Sequence, residues 1–163
     1  MLCITDTNIW IDLQHGDLIE YVFLLNGVCW AIPDIVLEEL QSVDLSPFTD
    51  QKLSVLNLTS KQIARVGDLA QQHRKTTEVD LASLVLAIEK RAVLVTGDGA
   101  LRKLAEDYHV EVHGVLWLLD MLVENNILSG KKAANGLKQM IRKGARLPHK
   151  EVRERLGRWH SGL

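Results

Sequence analysis

Five short apolar or β-branched runs alternate with helix-forming segments in the first 112 of the 163 residues of this chain. They span residues 2–5, 28–32, 53–58, 92–96 and 110–112. Strands that alternate with helices are joined by right-handed crossovers, so they lie parallel in one sheet with helices on both faces. This alternation predicts a three-layer α/β/α domain with a five-stranded parallel sheet, followed by C-terminal helices.

Capping residues indicate where several helices begin. Asp34 is expected to cap a helix over 35–43. Thr59 and Gln62 have the spacing of a capping box, in which each side chain accepts a hydrogen bond from the other residue's backbone. Thr77 is expected to cap the long apolar helix that follows.

The formal net charge of −2 conceals two regions of opposite sign. Residues 1–130 contain 19 acidic and 9 basic side chains, whereas residues 131–163 contain 10 basic and 2 acidic ones. A chain of this length is expected to form one domain with a sizeable core. We therefore expect an acidic body over 1–128 and a basic helical extension over 129–163 that packs on the same domain.

The sequence gives no indication of export or of a membrane. The N-terminus lacks the basic region and the cleavage site of a signal peptide. The longest apolar stretch, 19–32, is interrupted by polar residues and is too short to span a bilayer. Cys3 and Cys29 lie in strand-like runs, where we expect buried free thiols. These features predict a cytoplasmic protein that does not contact a membrane.

Two aspartates follow predicted strands. Asp6 comes directly after the first strand, and Asp98 comes two residues after Thr96, at the end of the fourth. Ligand sites of open parallel sheets lie beyond the carboxyl ends of the strands, so both carboxylates meet there if the strands are neighbours. Each aspartate, taken alone, also fits a turn-forming role.

Two further candidate acids occur on helices. Asp80 begins a helix whose next eight residues contain one polar side chain, so this helix is expected to be buried. Asp80 also fits a role in complementing the helix dipole, which Glu78 fills equally well. Glu39 lies on the apolar, core-facing side of its helix, whereas Glu38 lies on the polar side. Asp80 and Glu39 are therefore the preferred candidate site residues on these two helices.

Four carboxylates from four elements, all near one sheet edge, repel one another unless a cation compensates their charge. Oxygen-only ligands suit Mg²⁺ or Mn²⁺, which retain waters and leave room for a phosphate. Such a metal activates water and stabilises charge on phosphate oxygens. The acids therefore indicate metal-dependent phosphoryl chemistry.

The segments ITDTNIWIDL, IPDIVLEEL and EVDLASLVLAIEKRAVLVTGD, with the spacing between them, resemble the PIN-domain nucleases. The combination consists of an opening DTN, a Glu-Leu pair after the second strand, and an Asp sixteen residues before TxD. Over about residues 1–120 the chain is similar to the VapC-like toxins of toxin–antitoxin pairs, in the longer subgroup with a C-terminal helical extension. The resemblance implies a PIN-like nuclease domain over 1–128 with the sheet order 3-2-1-4-5.

The resemblance also implies the residues of the site. It matches the family's catalytic metal ligands to Asp6, Glu39, Asp80 and Asp98. Asn8 and Thr96 match polar positions that orient the acids or a bound water, although a helix cap and a strand-end hydroxyl explain them equally. Glu78 has a counterpart only in longer relatives. The family implies a type II toxin that is an endoribonuclease with Mg²⁺ or Mn²⁺, a homodimer, and a small antitoxin that inserts into the active-site groove.

The basic extension is expected to contain two amphipathic helices. In the second, Glu151 with Arg155 and Glu154 with Arg158 are i,i+4 pairs typical of a solvated helix. The basic residues of the first helix have no acidic residues among them. They therefore either contact RNA phosphates or dock on the acidic body or an acidic partner. The candidates for RNA contact are Lys138, Arg142, Lys143 and Arg146.

Three other classes of protein fit the sequence less well. A PIN-like module that binds RNA or protein without cleavage need not retain four acids. A phosphohydrolase or receiver of the haloacid-dehalogenase type needs an acid at Asn8. A dinucleotide-binding fold needs a third glycine after Gly97-Asp98-Gly99, and none is present. The sequence therefore favours an endoribonuclease that hydrolyses RNA phosphodiester bonds.

Overall fold

Strands and helices alternate along the chain in the computed structural model, which describes residues 1–160. The strands are β1 (Leu2–Thr5), β2 (Cys29–Pro33), β3 (Leu53–Leu56), β4 (Val93–Val95) and β5 (Val112–His113). The helices of the body are α1 (Thr7–His15), α2 (Ile19–Val22), α3 (Asp34–Glu39), α4 (Ser46–Thr49), α5 (Ser60–Gln72), α6 (Glu78–Lys90), α7 (Gly99–Asp107) and α8 (Val115–Glu124). The extension contributes α9 (Gly130–Arg142) and α10 (His149–His160).

The strands form one parallel sheet in the order β3-β2-β1-β4-β5, which confirms the expected topology. The central strand is β1, where Ile4 pairs with Ala31 of β2 and with Leu94 of β4. The winding of the chain changes direction at β1, and ligands of such sheets bind beyond the carboxyl ends of the strands at this point. The carboxyl ends of β1 and β4 therefore lie side by side at the expected site.

Helices cover both faces of the sheet and bury two apolar cores. Cys3 and Ile4 are consecutive in β1, point to opposite faces and belong to different cores. Helices α1, α8, α9 and α10 pack on the Cys3 face, and α5, α6 and α7 pack on the Ile4 face. Every residue of α6 from Leu81 to Ala87 is buried, as its apolar sequence predicts. The result is the expected three-layer α/β/α architecture.

The predicted caps of α5 and α6 are present. The Thr59 side chain accepts a hydrogen bond from Gln62 N at 3.3 Å, and the Gln62 side chain accepts one from Thr59 N at 2.8 Å. Thr77 caps α6. Both caps are local contacts between near neighbours in sequence, so the residues alone suffice to predict them.

Two segments after β2 differ from expectation. The helix predicted over 35–43 ends at Glu39, because Leu40 leaves the helical conformation and is buried in the core. Asp34 is the first helical residue rather than the cap, and its carboxylate accepts a hydrogen bond from Ile35 N at 2.8 Å. The loop after α3 contains the short helix α4, which was not predicted.

Edge positions of the sheet also differ. The fifth strand is Val112–His113 rather than 110–112, because its pairing with β4 places it further along the chain. Cys3 is buried, as expected, but Cys29 is exposed at the start of β2. A strand-like sequence pattern therefore does not predict whether the first residue of a strand is buried.

The extension packs at the end of α1 that is distant from Asp6. A Cβ atom at Gly136 of α9 would lie 2.6 Å from Leu18 Cδ1, and one at Gly16 would lie 2.7 Å from Met140 Cε. The boundary between a body over 1–128 and an extension over 129–163 stays a prediction, and residues 161–163 lie outside the described residues.

Ion pairs hold α10 on α8. Asp120 accepts hydrogen bonds from Arg155 at 2.8 Å and from Arg158 at 2.7 Å. The expected pair of Glu151 with Arg155 is present at 3.4 Å, but Arg158 pairs with Asp120 instead of Glu154. Helix α10 is therefore docked rather than simply solvated. Within residues 1–160, no helix has the length and apolar character needed to cross a membrane.

Candidate acidic active site

Asp6 comes directly after β1 and is completely buried. Its N–H donates to Val95 O at 3.2 Å, which extends the contact between β1 and β4. One carboxylate oxygen caps α1 by accepting from Ile9 N at 3.1 Å, and the other accepts from the Thr96 hydroxyl. No Lys, Arg or His forms an ion pair with Asp6 in the part of the chain that the structure describes. Asp6 is therefore a buried carboxylate without a cation from the protein.

Thr96 connects Asp6 to Asp98. Its buried hydroxyl donates to Asp6 and accepts from Asp98 N at 3.0 Å. Asp98 in turn caps α7, because one of its carboxylate oxygens accepts from Leu101 N at 2.7 Å. Both aspartates thus have the turn-forming role that their residue type suggests, and both also lie at the shared edge of β1 and β4.

Asp80 lies half-buried in the first turn of α6. The Thr77 hydroxyl donates to the Asp80 carboxylate at 2.8 Å and accepts from Asp80 N at 3.1 Å. One turn later, the Ser83 hydroxyl donates to Thr5 O at 3.4 Å, at the carboxyl end of β1. This contact brings the first turn of α6 to the same edge of the sheet as Asp6.

Glu38 and Glu39 are both exposed near the end of α3, but they contact different neighbours. Glu39 accepts a hydrogen bond from the Thr7 hydroxyl at the start of α1, and its charge raises the pKa of Asp80. Glu38 lines a groove between α3, α5 and α6. The expectation that Glu39 faces the core was wrong, since its side chain is exposed at the last residue of α3, where the helix ends early.

The acids influence one another electrostatically. Burial raises the pKa of Asp6 to about 7; hydrogen bonds from Thr96 and Ile9 act against this, and the charges of Asp80 and Asp98 add to it. Burial also raises the pKa of Asp80, the Thr77 hydrogen bond lowers it, and Asp98 and Glu39 raise it again. A like charge destabilises the ionised form of a carboxyl group, so the four acids form one electrostatic cluster.

The donor atoms of this cluster fit a hard divalent cation in type and charge, because all of them are carboxylate oxygens. Within residues 1–160, no group of three or more His, Cys, Asp or Glu side chains is drawn together tightly enough to hold a metal ion. Instead, each acid is engaged in a hydrogen bond from Ile9, Thr7, Thr77 or Leu101. A bound cation would supply the positive charge that buried Asp6 lacks.

The supporting residues occupy different places. Thr96 lies inside the cluster, as described above. Asn8 is exposed and lies against the turn at Gly97, where a Cβ atom would be 4.0 Å from Asn8 Cβ. Glu78 is exposed and lines the same groove as Glu38. Two hydroxyl groups that contact the acids, those of Thr7 and Thr77, were not predicted as site residues, although Thr77 was predicted as a helix cap.

The proposed RNA contacts of the extension are exposed. They lie on α9 and in the loop that follows it, at the end of α1 opposite to Asp6. They are Lys138, Arg142, Lys143 and Arg146. The structure thus leaves these cations accessible but does not bring them to the acidic cluster.

A family model, DUF3368, described as a PIN domain, matches residues 2–161. The chain belongs to the PIN-domain family. PIN domains form a nuclease family. No curated protein is similar enough to this sequence to match it.

Solved structures share the PIN fold at low sequence identity. A PilT N-terminus domain protein from Sulfolobus solfataricus P2 has a TM-score of 0.55 and 13% identity, over 76% of this chain and 95% of that chain. VapBC2 from Rickettsia felis, bound to a DNA fragment from its promoter, has a TM-score of 0.51 and 22% identity, over 70% and 98%. VapBC-1 from nontypeable Haemophilus influenzae has a TM-score of 0.50 and 17% identity, over 71% and 98%. These likenesses establish the fold of the PIN domain.

Proposed function

We propose that this PIN domain is a metal-dependent endoribonuclease that hydrolyses RNA phosphodiester bonds. The observation that carries the proposal is Asp6, a fully buried carboxylate without an ion pair among the described residues, in the field of Asp80 and Asp98. Burying an ionised carboxylate without a partner is costly, and a cation bound there would offset this cost. Membership of a nuclease family supports the same conclusion.

The ligands in this proposal are Asp6, Glu39, Asp80 and Asp98, with Mg²⁺ or Mn²⁺ as the cation. When bound, such a cation lowers the pKa of a water and stabilises negative charge on phosphate oxygens. The protein contributes the positions of the acids: Thr96 orients Asp6 and holds the backbone of Asp98, and Thr77 orients Asp80. Asn8 and Glu78, at the margin of the cluster, are proposed as supporting residues.

We further propose that the chain is the toxin of a type II toxin–antitoxin system. Two of the similar structures are VapBC assemblies, and a VapC-like role agrees with the sequence motifs. A small antitoxin protein, a homodimeric state and a cytoplasmic location belong to this proposal. It predicts that expression of the chain alone arrests growth, and that co-expression of a small protein encoded beside it relieves the arrest.

The enzymatic proposal is tested by RNA cleavage with purified protein. The wild type is expected to cleave RNA with Mn²⁺ or Mg²⁺ and not with EDTA. Asp6→Asn and Asp98→Asn each remove one proposed ligand with little change of shape, so both variants should lose cleavage while remaining folded. The matched control is Asp12→Asn, which removes a half-buried carboxylate of α1 that lies outside the cluster.

The Asp12→Asn control distinguishes loss of the proposed metal site from loss of one negative charge elsewhere in the protein. Cleavage that persists in both site variants contradicts the assignment of the acids. RNA binding without cleavage by the wild type, under every metal condition, supports the non-cleaving binding module instead.

A further inference from the structure

Two grooves of opposite charge flank the acidic cluster. The first, which we call the acidic groove, lies between α3, α5 and α6 and has a volume of about 400 Å³. Its charged lining residues are Asp34, Glu38 and Glu78, and no Lys, Arg or His of residues 1–160 lines it. The second, which we call the basic groove, lies between the α5–α6 loop and α7 and has a volume of about 660 Å³. Its charged or titratable lining residues are His73, Arg74, Lys75, Lys103 and Asp107.

The basic groove begins at the acidic cluster. Thr76, which lines the groove, directly precedes Thr77, the residue that binds the Asp80 carboxylate. Ala100, on the opposite wall, is two residues after Asp98. The groove then follows α7 away from the sheet edge as far as Asp107. Both walls of the groove therefore start close in sequence to residues of the acidic cluster, so a polymer held at the acids can continue into the groove.

The cations of the basic groove are available to a ligand. Arg74, Lys75 and Lys103 are exposed. None of the three forms an ion pair with an acid of residues 1–160. The side chains of Gln71 and Gln72 line the same groove and offer amide donors and acceptors. This combination suits a strand that carries a phosphate at each residue and polar groups on its sugars and bases.

The charges that line the two grooves differ, and only the basic groove suits the phosphates of a nucleic acid. A phosphate strand in the acidic groove would lie against three carboxylates, whereas one in the basic groove would meet three full positive charges and one negative charge. We infer that an RNA strand held at the acidic cluster continues through the basic groove, where Arg74, Lys75 and Lys103 bind its phosphates. This inference rests on the proposed endoribonuclease function and names the residues that position its substrate.

The extension offers a competing set of cations. Lys138, Arg142 and Lys143 belong to or directly follow α9, which packs at the far end of α1 from Asp6. A strand that reached these residues from the acids would have to cross the length of α1, which separates Asp6 from Gly16. The basic groove needs no such crossing, so it is the shorter path.

The test compares two triple variants that each remove three positive charges. The groove variant is Arg74→Ala, Lys75→Ala and Lys103→Ala, and the matched control is Lys138→Ala, Arg142→Ala and Lys143→Ala. All six side chains are exposed, so both variants should keep the thermal unfolding midpoint of the wild type. Binding of a fluorescent single-stranded RNA is measured in EDTA over a series of salt concentrations, so that cleavage does not interfere.

Each phosphate contact on single-stranded RNA contributes about 0.7 to the slope of log K against log salt. Loss of three contacts therefore lowers the slope by about 2 and the affinity by about 100-fold at about 0.1 M salt. The groove variant is expected to show both effects, and the control variant neither. Asp107→Asn removes the one acid of the groove and should strengthen binding by about 5-fold, an effect opposite in sign.

Cleavage assays with Mn²⁺ separate this inference from the proposed function. The groove variant should raise KM with little change in kcat, because its cations bind the strand but do not touch the acids. Wild-type cleavage with unaltered RNA binding by the groove variant overturns the inference and leaves the function intact. Equal losses in the two triple variants also overturn it, because net charge alone then explains the effect. A wild type that neither binds nor cleaves RNA overturns both.

Discussion

Replacing Asp6 by Asn should stabilise the metal-free protein at neutral and alkaline pH. The reason is that Asp6 is buried among like charges and has no cation from the described chain, so its ionised form destabilises the fold. Asn has nearly the same shape and cannot ionise. The same substitution should remove the proposed cation site, so stability and function are expected to change in opposite directions.

The size of the effect follows from the pKa of Asp6. The rise from 3.8 to about 7 means that ionisation costs the folded protein about 4 kcal/mol, at roughly 1.4 kcal/mol per pKa unit. In the variant, the Asn side chain presents an amide N–H to the Thr96 hydroxyl in place of the carboxylate oxygen that accepted the hydroxyl proton. This mismatch reduces the stability of the variant by an amount on the order of 1–2 kcal/mol. The net gain above pH 7 is therefore about 2–3 kcal/mol, or roughly 4–12 °C in the unfolding midpoint.

The pH dependence has a defined sign. Since the pKa of Asp6 is higher in the folded than in the unfolded chain, the metal-free wild type loses stability as the pH rises from about 4 to about 7. Asp6→Asn lacks this loss. The variant should therefore be the more stable protein at pH 8 and slightly the less stable one at about pH 3, below both pKa values, where the wild-type carboxyl is mostly protonated in both states.

Urea unfolding in EDTA, followed by tryptophan fluorescence, measures this directly. Trp10 is completely buried near the site, where its indole N–H donates to the Thr5 hydroxyl at 2.7 Å, so it reports the local fold. Addition of Mn²⁺ at about 100 times its Kd should stabilise the wild type by about 2.7 kcal/mol. The Asp6→Asn variant should respond far less.

Asp12→Asn is the control for a general effect of removing an acid. Burial raises the pKa of Asp12 to about 6, although the charge of His15 lowers it, and the side chain is only half-buried. Solvent screening reduces its expected gain to less than about 1 kcal/mol, with an intact response to Mn²⁺. A lower stability of Asp6→Asn than of the wild type at pH 8 in EDTA would contradict an uncompensated charge on buried Asp6.

Three further pairs of substitutions test other parts of the structure. Glu39→Gln should reduce cleavage at least 10-fold and Glu38→Gln should not, because only Glu39 acts on the cluster; equal activities in the cleavage assay contradict this. Thr96→Val should cost about 1–3 kcal/mol in urea unfolding by leaving Asp98 N without its acceptor, and Thr96→Ser should restore most of it. Gly130→Ala should destabilise by about 1–3 kcal/mol, since a Cβ there lies 2.7 Å from a backbone oxygen of α10. Gly67→Ala in open space should stabilise by about 0.5–1 kcal/mol, and similar melting points for the two alanine variants speak against tight packing of the extension.

Local chemistry explains which parts of the fold the sequence could predict. The capping box of α5 and the cap of α6 depend on contacts between residues three apart, and both are present. The apolar run of α6 correctly predicted a buried helix, and that helix carries Asp80 to the sheet edge. The acids Asp6 and Asp98 were predictable because a strand end and a parallel sheet suffice to place them.

Long-range packing explains what the sequence could not predict. The early end of α3 depends on Leu40 entering the core, which no periodicity within 35–43 reveals. Glu39 therefore lies at an exposed helix end and is tied to α1 through Thr7, a contact between residues 32 positions apart. The register of β5 depends in the same way on its pairing with β4.

The charge pattern of the sequence places an excess of basic residues in the extension. The structure shows a second group of cations, in the basic groove. Arg74 and Lys75 are neighbours that lie far from Lys103 in sequence, and all three occur within the acidic body, so a count of charges by region hides them. The α5–α6 loop and α7 bring them together beside the acids. Tertiary structure, rather than a basic run, creates this candidate RNA path.

The most direct test of the acidic active site is a titration of the metal-free protein with Mn²⁺, followed by the loss of the free-ion electron paramagnetic resonance signal at pH 8. The wild type is expected to bind Mn²⁺ saturably. Asp6→Asn and Asp98→Asn should each weaken this binding by at least 10-fold, and Glu38→Gln should leave it unchanged. Absence of binding in the wild type, or equal binding in all four proteins, would contradict a cation site formed by these acids.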